Sequence, residues 1–85
     1  MIRVMLVDDQ TLVRQGVRSL LALSDDIEVI GEASDGASAI EQVPTLQPDV
    51  LLLDLRMPEV NGIEVLSSLS GQDKLPPTLI LTTFD

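Results

Sequence analysis

Strand-like and helix-like segments alternate along this chain, and this alternation constrains its fold more than any other feature. Apolar runs typical of short strands occur at Ile2–Val7, Ile27–Ala33, Val50–Leu53 and Thr78–Thr83. The segments between them carry apolar residues at helical spacing. Strands that are joined through helices run parallel, with right-handed crossovers. The sequence therefore predicts an α/β fold of the form β-α-β-α-β-α-β, with a doubly wound parallel sheet covered on both faces.

The three helical segments are defined by apolar stripes and by the residues that end them. The first is expected over Thr11–Leu23, with Arg14 on its polar side. The second follows the turn at 34–36 and should stop at Pro44, because proline lacks the N–H that a helix interior needs. The third is expected to stop at Ser70-Gly71. The stripes consist of Leu12, Val13, Val17, Leu20 and Leu21, then Ala37, Ile40 and Val43, then Ile63, Leu66 and Leu69.

The second strand-like run alternates between two kinds of residue. One set comprises Ile27, Val29, Gly31 and Ala33, and the other comprises Glu28, Ile30 and Glu32. Alternation of this kind is typical of a strand with one solvated face. We therefore expect this strand near an edge of the sheet.

Acidic residues follow two of the predicted strands directly. Asp8 and Asp9 close the first, and Asp54 closes the third. In the strand order 2-1-3-4 these two strands are neighbours, and ligands of such sheets bind outside the carboxyl ends of the strands. Three converging carboxylates repel one another, so at least one should have a raised pKa in the absence of a cation. Mg²⁺, which takes carboxylates, waters and phosphate oxygens, would relieve the repulsion. The pocket is thus predicted to be a magnesium-dependent phosphate site.

The composition excludes several classes of function. The 85 residues include 14 acidic and 5 basic residues, for a net charge of -9, and neither histidine nor cysteine. Disulfides, zinc sites of the usual kind and Ser-His or Cys-His catalytic pairs are therefore excluded. So acidic a surface is repelled by nucleic-acid backbones and anionic membranes. The start of the chain does not have the pattern of a signal peptide, and we expect a cytoplasmic protein.

Two other classes of protein with parallel sheets differ from this chain at defined positions. A phosphatase of the haloacid dehalogenase type also uses an aspartate nucleophile and Mg²⁺, but it needs an aspartate two residues later, where this chain has Arg56. A flavodoxin-type binding module needs a phosphate loop in the first β-α turn, where Asp8 and Asp9 stand. These two departures argue against both classes.

The same residues resemble a known family. The matching features are the Asp8-Asp9 pair, the segment Asp54–Pro58 followed by Gly62, and Thr82-Thr83 at the end of the fourth strand. They resemble the receiver domain of two-component response regulators, which has a flavodoxin-like fold, over the whole of the chain. The stretches LVDDQTLVRQGVRSLL, GEASDGASAI and LLLDLRMPEVNGIEVL are similar to receivers of transcription regulators with a C-terminal LuxR/FixJ-type DNA-binding domain.

The resemblance implies a role for each matching residue. Asp54 would accept a phosphoryl group from a histidine kinase. Asp9, Asp54 and the backbone carbonyl of Arg56 would bind Mg²⁺, with Asp8 helping through water. Thr82 would be the switch hydroxyl that turns toward the phosphoryl group. DNA would be bound only through a C-terminal domain outside these residues.

The chain departs from the family pattern at its C-terminal end. A receiver has five strands and five helices, whereas residues 1–85 are expected to form only its N-terminal part, through the fourth strand. The phosphate-binding lysine of the family lies on the fifth strand, and Lys74 should lie at the opposite edge of the sheet. The exposed fourth strand predicts a homo-oligomer that pairs through it. An alternative function follows, in which a truncated receiver acts only as an association module without efficient phosphorylation.

Overall fold

The computed structural model describes residues 1–57 and 59–81, which form a four-stranded parallel sheet with the strand order β2-β1-β3-β4. This confirms the predicted fold class and strand order. In chain order the elements are β1 (Ile2–Val7), α1 (Thr11–Leu21), β2 (Ile27–Ala33), α2 (Gly36–Leu46), β3 (Val50–Asp54), α3 (Gly62–Gly71) and β4 (Thr78–Leu81). Among the described residues, no helix is long and apolar enough to cross a bilayer.

The central strand β1 supplies side chains to a core on each face of the sheet. Met5 and Val7 pack with buried residues of α2 and α3, including Val43 and Leu69. Val4 and Leu6 face the other way, toward α1. Burying a valine or leucine fully contributes about 1.5–3 kcal/mol, so both layers hold β1 in place. This burial on two faces explains why β1 is apolar without interruption from Val4 to Val7.

A β-bulge in β2 changes which of its residues face α1. Val4 is opposite Val29, but Met5 is opposite Gly31, so Ile30 is an extra residue in the pairing. As a result Ile27 and Val29 pack on the α1 side whereas Ala33 lies in the core beneath α2. The simple alternation expected for β2 is therefore wrong beyond Val29, although its edge position is confirmed.

Two predicted helix ends differ from the structure. Helix α2 continues through Pro44 to Leu46 and ends at Gln47, which adopts a left-handed φ of 48°. Pro44 lies in the last turn, so it removes one N–H donor while the Gln47 N–H still reaches the Val43 carbonyl at 2.9 Å. Helix α1 ends at Leu21, two residues before the predicted boundary.

The predicted apolar stripes of α1 and α3 are only partly buried. Val17 and Leu21 pack on the sheet, but Leu12 is 81% exposed. At 3.6 residues per turn, Leu12 lies about 140° around the helix from Val17, too far to reach the same face. In α3 the buried pair is Val65 and Leu69, at a spacing of four. Ile63, which was expected in the stripe, is exposed instead.

Candidate metal centre

Three carboxylates converge at the carboxyl ends of β1 and β3. The parallel pairing of β1 and β3 brings Val7 opposite Leu53, so the residues that follow these two strands emerge side by side. One carboxylate oxygen from each of Asp8, Asp9 and Asp54 lies within 4.8 Å of the others. Asp8 and Asp54 are buried, at 1% and 2% exposure, and Asp9 is exposed. The predicted cluster is thus present, with Asp9 on its solvent side.

Asp8 is the most constrained member of the cluster. Its Oδ1 accepts a hydrogen bond from the Gln10 backbone N–H at 2.8 Å. Its Oδ2 is buried and has no hydrogen-bond donor within the part of the chain that the structure describes. Burial raises the pKa of Asp8 above the usual aspartate value, and the charges of Asp54 and Asp9 add to this effect. The Gln10 N–H and the Arg14 guanidinium oppose the rise in pKa only in part.

Asp54 is positioned by the loop that follows it. Its Oδ1 accepts a hydrogen bond from the Arg56 backbone N–H at 2.9 Å, which fixes the rotation of the carboxylate. The Gly62 N–H donates to the Leu55 carbonyl at 3.2 Å and ties the start of α3 back to this loop. Met57 anchors the loop in the core at 5% exposure. The loop therefore holds Asp54 against the sheet with its carboxylate in the cluster.

A network of charged residues on α1 and β2, which the sequence did not predict, contacts the backbone of the cluster. The Arg14 guanidinium donates to the Asp8 backbone carbonyl. It also lies 3.3 Å from Glu32, measured from Nε to Oε1, and Glu32 Oε2 is 2.6 Å from an Arg18 nitrogen. The sequence pattern predicts Arg14 on the polar side of α1, together with Gln15 and Arg18, because these residues lie opposite the apolar stripe. Glu32 is visible in the sequence as an acidic residue near the carboxyl end of β2, but its approach to Arg14 depends on the β2 bulge, which has no signal in the sequence.

The structure gives less information on Thr82 and on the metal-binding role of Arg56. Thr82 lies outside the described residues, as does the last part of the predicted fourth strand. For Arg56 the structure gives the backbone N–H contact with Asp54, while metal binding by its carbonyl stays a prediction. Lys74 is exposed and precedes β4, and its N–H donates to the Leu69 carbonyl at 2.8 Å.

The donor set suits a hard divalent cation. All three side chains offer carboxylate oxygens, which Mg²⁺ and Ca²⁺ prefer over nitrogen or sulfur ligands. The buried Asp8 Oδ2, which lacks a donor among the described residues, is an acceptor that a cation or its bound water would satisfy. The residues present therefore fit a metal ion, and one carboxylate beside such an ion can serve as a nucleophile toward a phosphoryl group.

Comparison with known proteins decides the family. Residues 4–85 match the response regulator receiver domain. This chain belongs to the receiver family. The receiver is 44% identical over 85 residues to the transcriptional regulatory protein BtsR of Salmonella typhi, and 44% identical over 84 residues to LiaR of Bacillus subtilis. The two alignments cover 100% and 99% of this chain, but only 35% of BtsR and 40% of LiaR.

The fold of the receiver matches solved structures of the same family. The signal receiver domain of the putative response regulator NarL from Mycobacterium tuberculosis superposes with a TM-score of 0.90 at 39% identity. That match covers 99% of this receiver and 68% of the NarL domain. The family and the flavodoxin-like fold expected from the sequence are thereby confirmed.

Proposed function

We propose that this receiver accepts a phosphoryl group on Asp54 from a histidine kinase of a two-component system, with Mg²⁺ bound by Asp8, Asp9 and Asp54. The observation that carries the proposal is the convergence of these three carboxylates within 4.8 Å at the ends of adjacent strands. Membership in the receiver family supports the same assignment. The receiver would act in the cytoplasm as an acceptor rather than as an enzyme with a substrate of its own.

The chemistry would be an in-line transfer onto a carboxylate oxygen. One Asp54 oxygen attacks phosphorus while the P–N bond to the kinase imidazole breaks, and the imidazole nitrogen keeps the electron pair of that bond. The Arg56 N–H holds Asp54 Oδ1, so the carboxylate presents its other oxygen in a fixed orientation. Bound Mg²⁺ would offset the negative charge of the incoming phosphate, and the Arg56 carbonyl is a further proposed ligand. Thr82 is proposed as the hydroxyl that responds to the modification.

Control of transcription would lie with residues outside this chain. BtsR and LiaR, of which the chain covers well under half, are transcriptional regulators. With a net charge of -9, residues 1–85 have no electrostatic attraction for DNA. We therefore propose that a C-terminal domain outside these residues binds DNA.

The first prediction tests the acceptor directly. Incubation of the purified protein with acetyl phosphate and Mg²⁺ should add one phosphoryl group, detected by intact mass. Asp54→Asn should abolish the adduct and leave the fold intact, because it keeps the shape and the Arg56 contact but removes the nucleophile. Asp26→Asn, which removes an exposed acid elsewhere, is the matched control and should be modified like the parent.

An adduct on Asp54→Asn would assign the acceptor to another residue and contradict the proposal. Absence of an adduct in the parent would favour the alternative function, in which the chain serves as an association module. Removal of Mg²⁺ with a chelator should also suppress the adduct if the metal neutralises the cluster during transfer.

The outer edge of β4 favours self-association as a second function. Leu79 and Ile80 are 61% and 41% exposed, and among the described strands β4 pairs only with β3. No residue of β4 carries a charge, so this strand adds no charge repulsion of its own when a second copy with the same -9 charge approaches. We propose that two copies pair through β4 across a twofold axis.

A further inference from the structure

Arg14 links the metal cluster to the face of the sheet that carries α1. Its side chain is only 14% exposed although it belongs to a surface helix. The guanidinium donates to the Asp8 carbonyl and to the Thr11 hydroxyl, the latter at 3.3 Å, while Nε faces Glu32. A planar guanidinium offers several donors in fixed directions, so three partners can be held at once.

The bulge in β2 makes this arrangement possible. Beyond the extra residue Ile30, Glu32 is opposite Leu6, whose side chain faces α1. Without the bulge, Glu32 would lie on the face beneath α2 and could not reach Arg14. The position of Glu32 therefore depends on the bulge in β2. The bulge brings the Glu32 carboxylate to the Nε side of the Arg14 guanidinium.

The carbonyl that Arg14 holds belongs to the peptide between Asp8 and Asp9. Asp9 follows this peptide directly, so the orientation of the peptide sets the direction of the Asp9 side chain. The Asp9 carboxylate lies on the exposed side of the cluster. The Gln10 N–H already fixes the Asp8 side chain through Oδ1. Arg14 holds the backbone of the same turn through the Asp8 carbonyl.

We propose that Arg14, held by Glu32, is a positioning residue that sets the Asp8–Asp9 turn for metal binding. This role rests on the proposed magnesium site. Arg14 contacts Asp8 through the backbone carbonyl and not through the carboxylate that would bind the metal. Outer partners of this kind orient metal ligands and typically change metal affinity by about 10-fold to 100-fold when they are removed.

Electrostatics and positioning have opposite effects here, which makes the proposal testable. A guanidinium near a cation site repels the cation, so removing its charge alone should tighten Mg²⁺ binding. Removing its hold on the turn should weaken binding. The direction of the change in the Mg²⁺ dissociation constant therefore distinguishes the two roles.

The experiment is calorimetric titration of the purified protein with MgCl₂. Arg14→Gln should raise the dissociation constant by about 10-fold or more. Arg14→Lys keeps the charge but has no planar fork, and it should also weaken binding. Arg18→Gln is the matched control, because Arg18 contacts the same Glu32 carboxylate from an exposed position and has no contact with Asp8. Its dissociation constant should stay within about 2-fold of the parent value, since an exposed ion pair contributes little.

Unfolding of each variant by urea without Mg²⁺ separates stability from metal binding. A purely structural role for Arg14 would lower the free energy of unfolding and leave the dissociation constant of the folded protein unchanged, which would overturn the proposal. Tighter binding by Arg14→Gln would overturn it as well. If Arg14→Gln does not fold, parent-like affinity in Arg14→Lys would have the same meaning. Failure of the parent itself to bind Mg²⁺ would instead refute the proposed metal site.

Discussion

At the scale of single residues, Asp8 combines the burial of a core residue with the chemistry of a ligand. It is 1% exposed, and its pKa is raised mainly because burial disfavours the charged form. In the folded state Asp8 therefore binds its proton more tightly than in the unfolded chain. Stability should fall as the pH rises from the unfolded-state pKa of aspartate through the raised pKa of Asp8, and the loss persists at neutral pH.

Asp8→Asn should consequently stabilise the metal-free protein at neutral pH. The gain is about 1.4 kcal/mol for each unit by which the pKa of Asp8 is raised. The asparagine Oδ1 can still accept from the Gln10 N–H, so the turn is kept. Urea unfolding across roughly pH 4–8 measures the effect, and the difference between the variant and the parent should shrink toward acidic pH as Asp8 becomes protonated.

The same variant should respond less to Mg²⁺ than the parent, since one carboxylate of the cluster is gone. A ligand that binds only the folded state stabilises it by about 2.7 kcal/mol at 100 times its dissociation constant. Asp26→Asn provides the surface control and should change the stability by no more than about 0.5 kcal/mol. A parent that is more stable than Asp8→Asn at neutral pH without metal would contradict the prediction.

At the scale of elements, the junction between β3 and α3 depends on a glycine packed against backbone. A Cβ at Gly62 would lie 2.6 Å from Leu55 Cα and 2.8 Å from the Asp54 carbonyl oxygen. Neither atom can move without shifting the loop that orients Asp54. The close approach of α3 to the end of β3 therefore requires a residue without a side chain at this position.

Gly62→Ala should destabilise the protein by about 1–3 kcal/mol, the usual cost of overpacking. Gly16→Ala is a matched control in α1, where an added Cβ meets nothing within 4 Å. It should stabilise the protein by about 0.5–1 kcal/mol, because alanine is the better helix former. Denaturant midpoints of the two variants should therefore move in opposite directions, and stabilisation by both would show that the Gly62 contact is not tight.

The elements were predictable from sequence where their signals are local, and the exceptions have specific causes. Within residues 1–57 and 59–81, apolar runs and helical spacing identified each strand and helix, and the acids at the strand ends marked the cluster. The bulge at Ile30 was not predictable, because a one-residue shift in pairing leaves the composition of β2 unchanged. Arg14 and Glu32 were missed for the same reason, since their meeting depends on that shift. Pro44 was overestimated as a stop because a proline in a last turn costs only one donor.

At the scale of the whole molecule, high net charge and an uncharged edge act against each other. A charge of -9 on 85 residues keeps copies apart, and salt weakens that repulsion. Raising the ionic strength from about 0.01 M to about 0.1 M shortens the screening length from about 30 Å to about 10 Å. Association through the uncharged strand β4 should therefore increase with salt.

Sedimentation of the purified protein at tens of micromolar should show a dimer or larger oligomer, and its fraction should increase with NaCl concentration. Leu79→Lys should reduce association, and its 61% exposure leaves room for the charge without loss of folding. Leu20→Lys, at a 69% exposed position on α1, is the matched control and should associate like the parent. Circular dichroism confirms folding, and a monomer at all salt concentrations would refute the β4 interface.

The position of β1 in the middle of the sheet also governs the order in which the chain can assemble during synthesis. Both neighbours of β1 come later in the sequence, so its first edge waits for β2 and its second for β3. Ribosomes add about 5–20 residues per second, so roughly 2–10 s separate the synthesis of Val7 from that of Leu53. During that interval β1, which is apolar from Val4 to Val7, lacks its second partner. The central strand of the nascent chain therefore has one open edge until β3 has been synthesised.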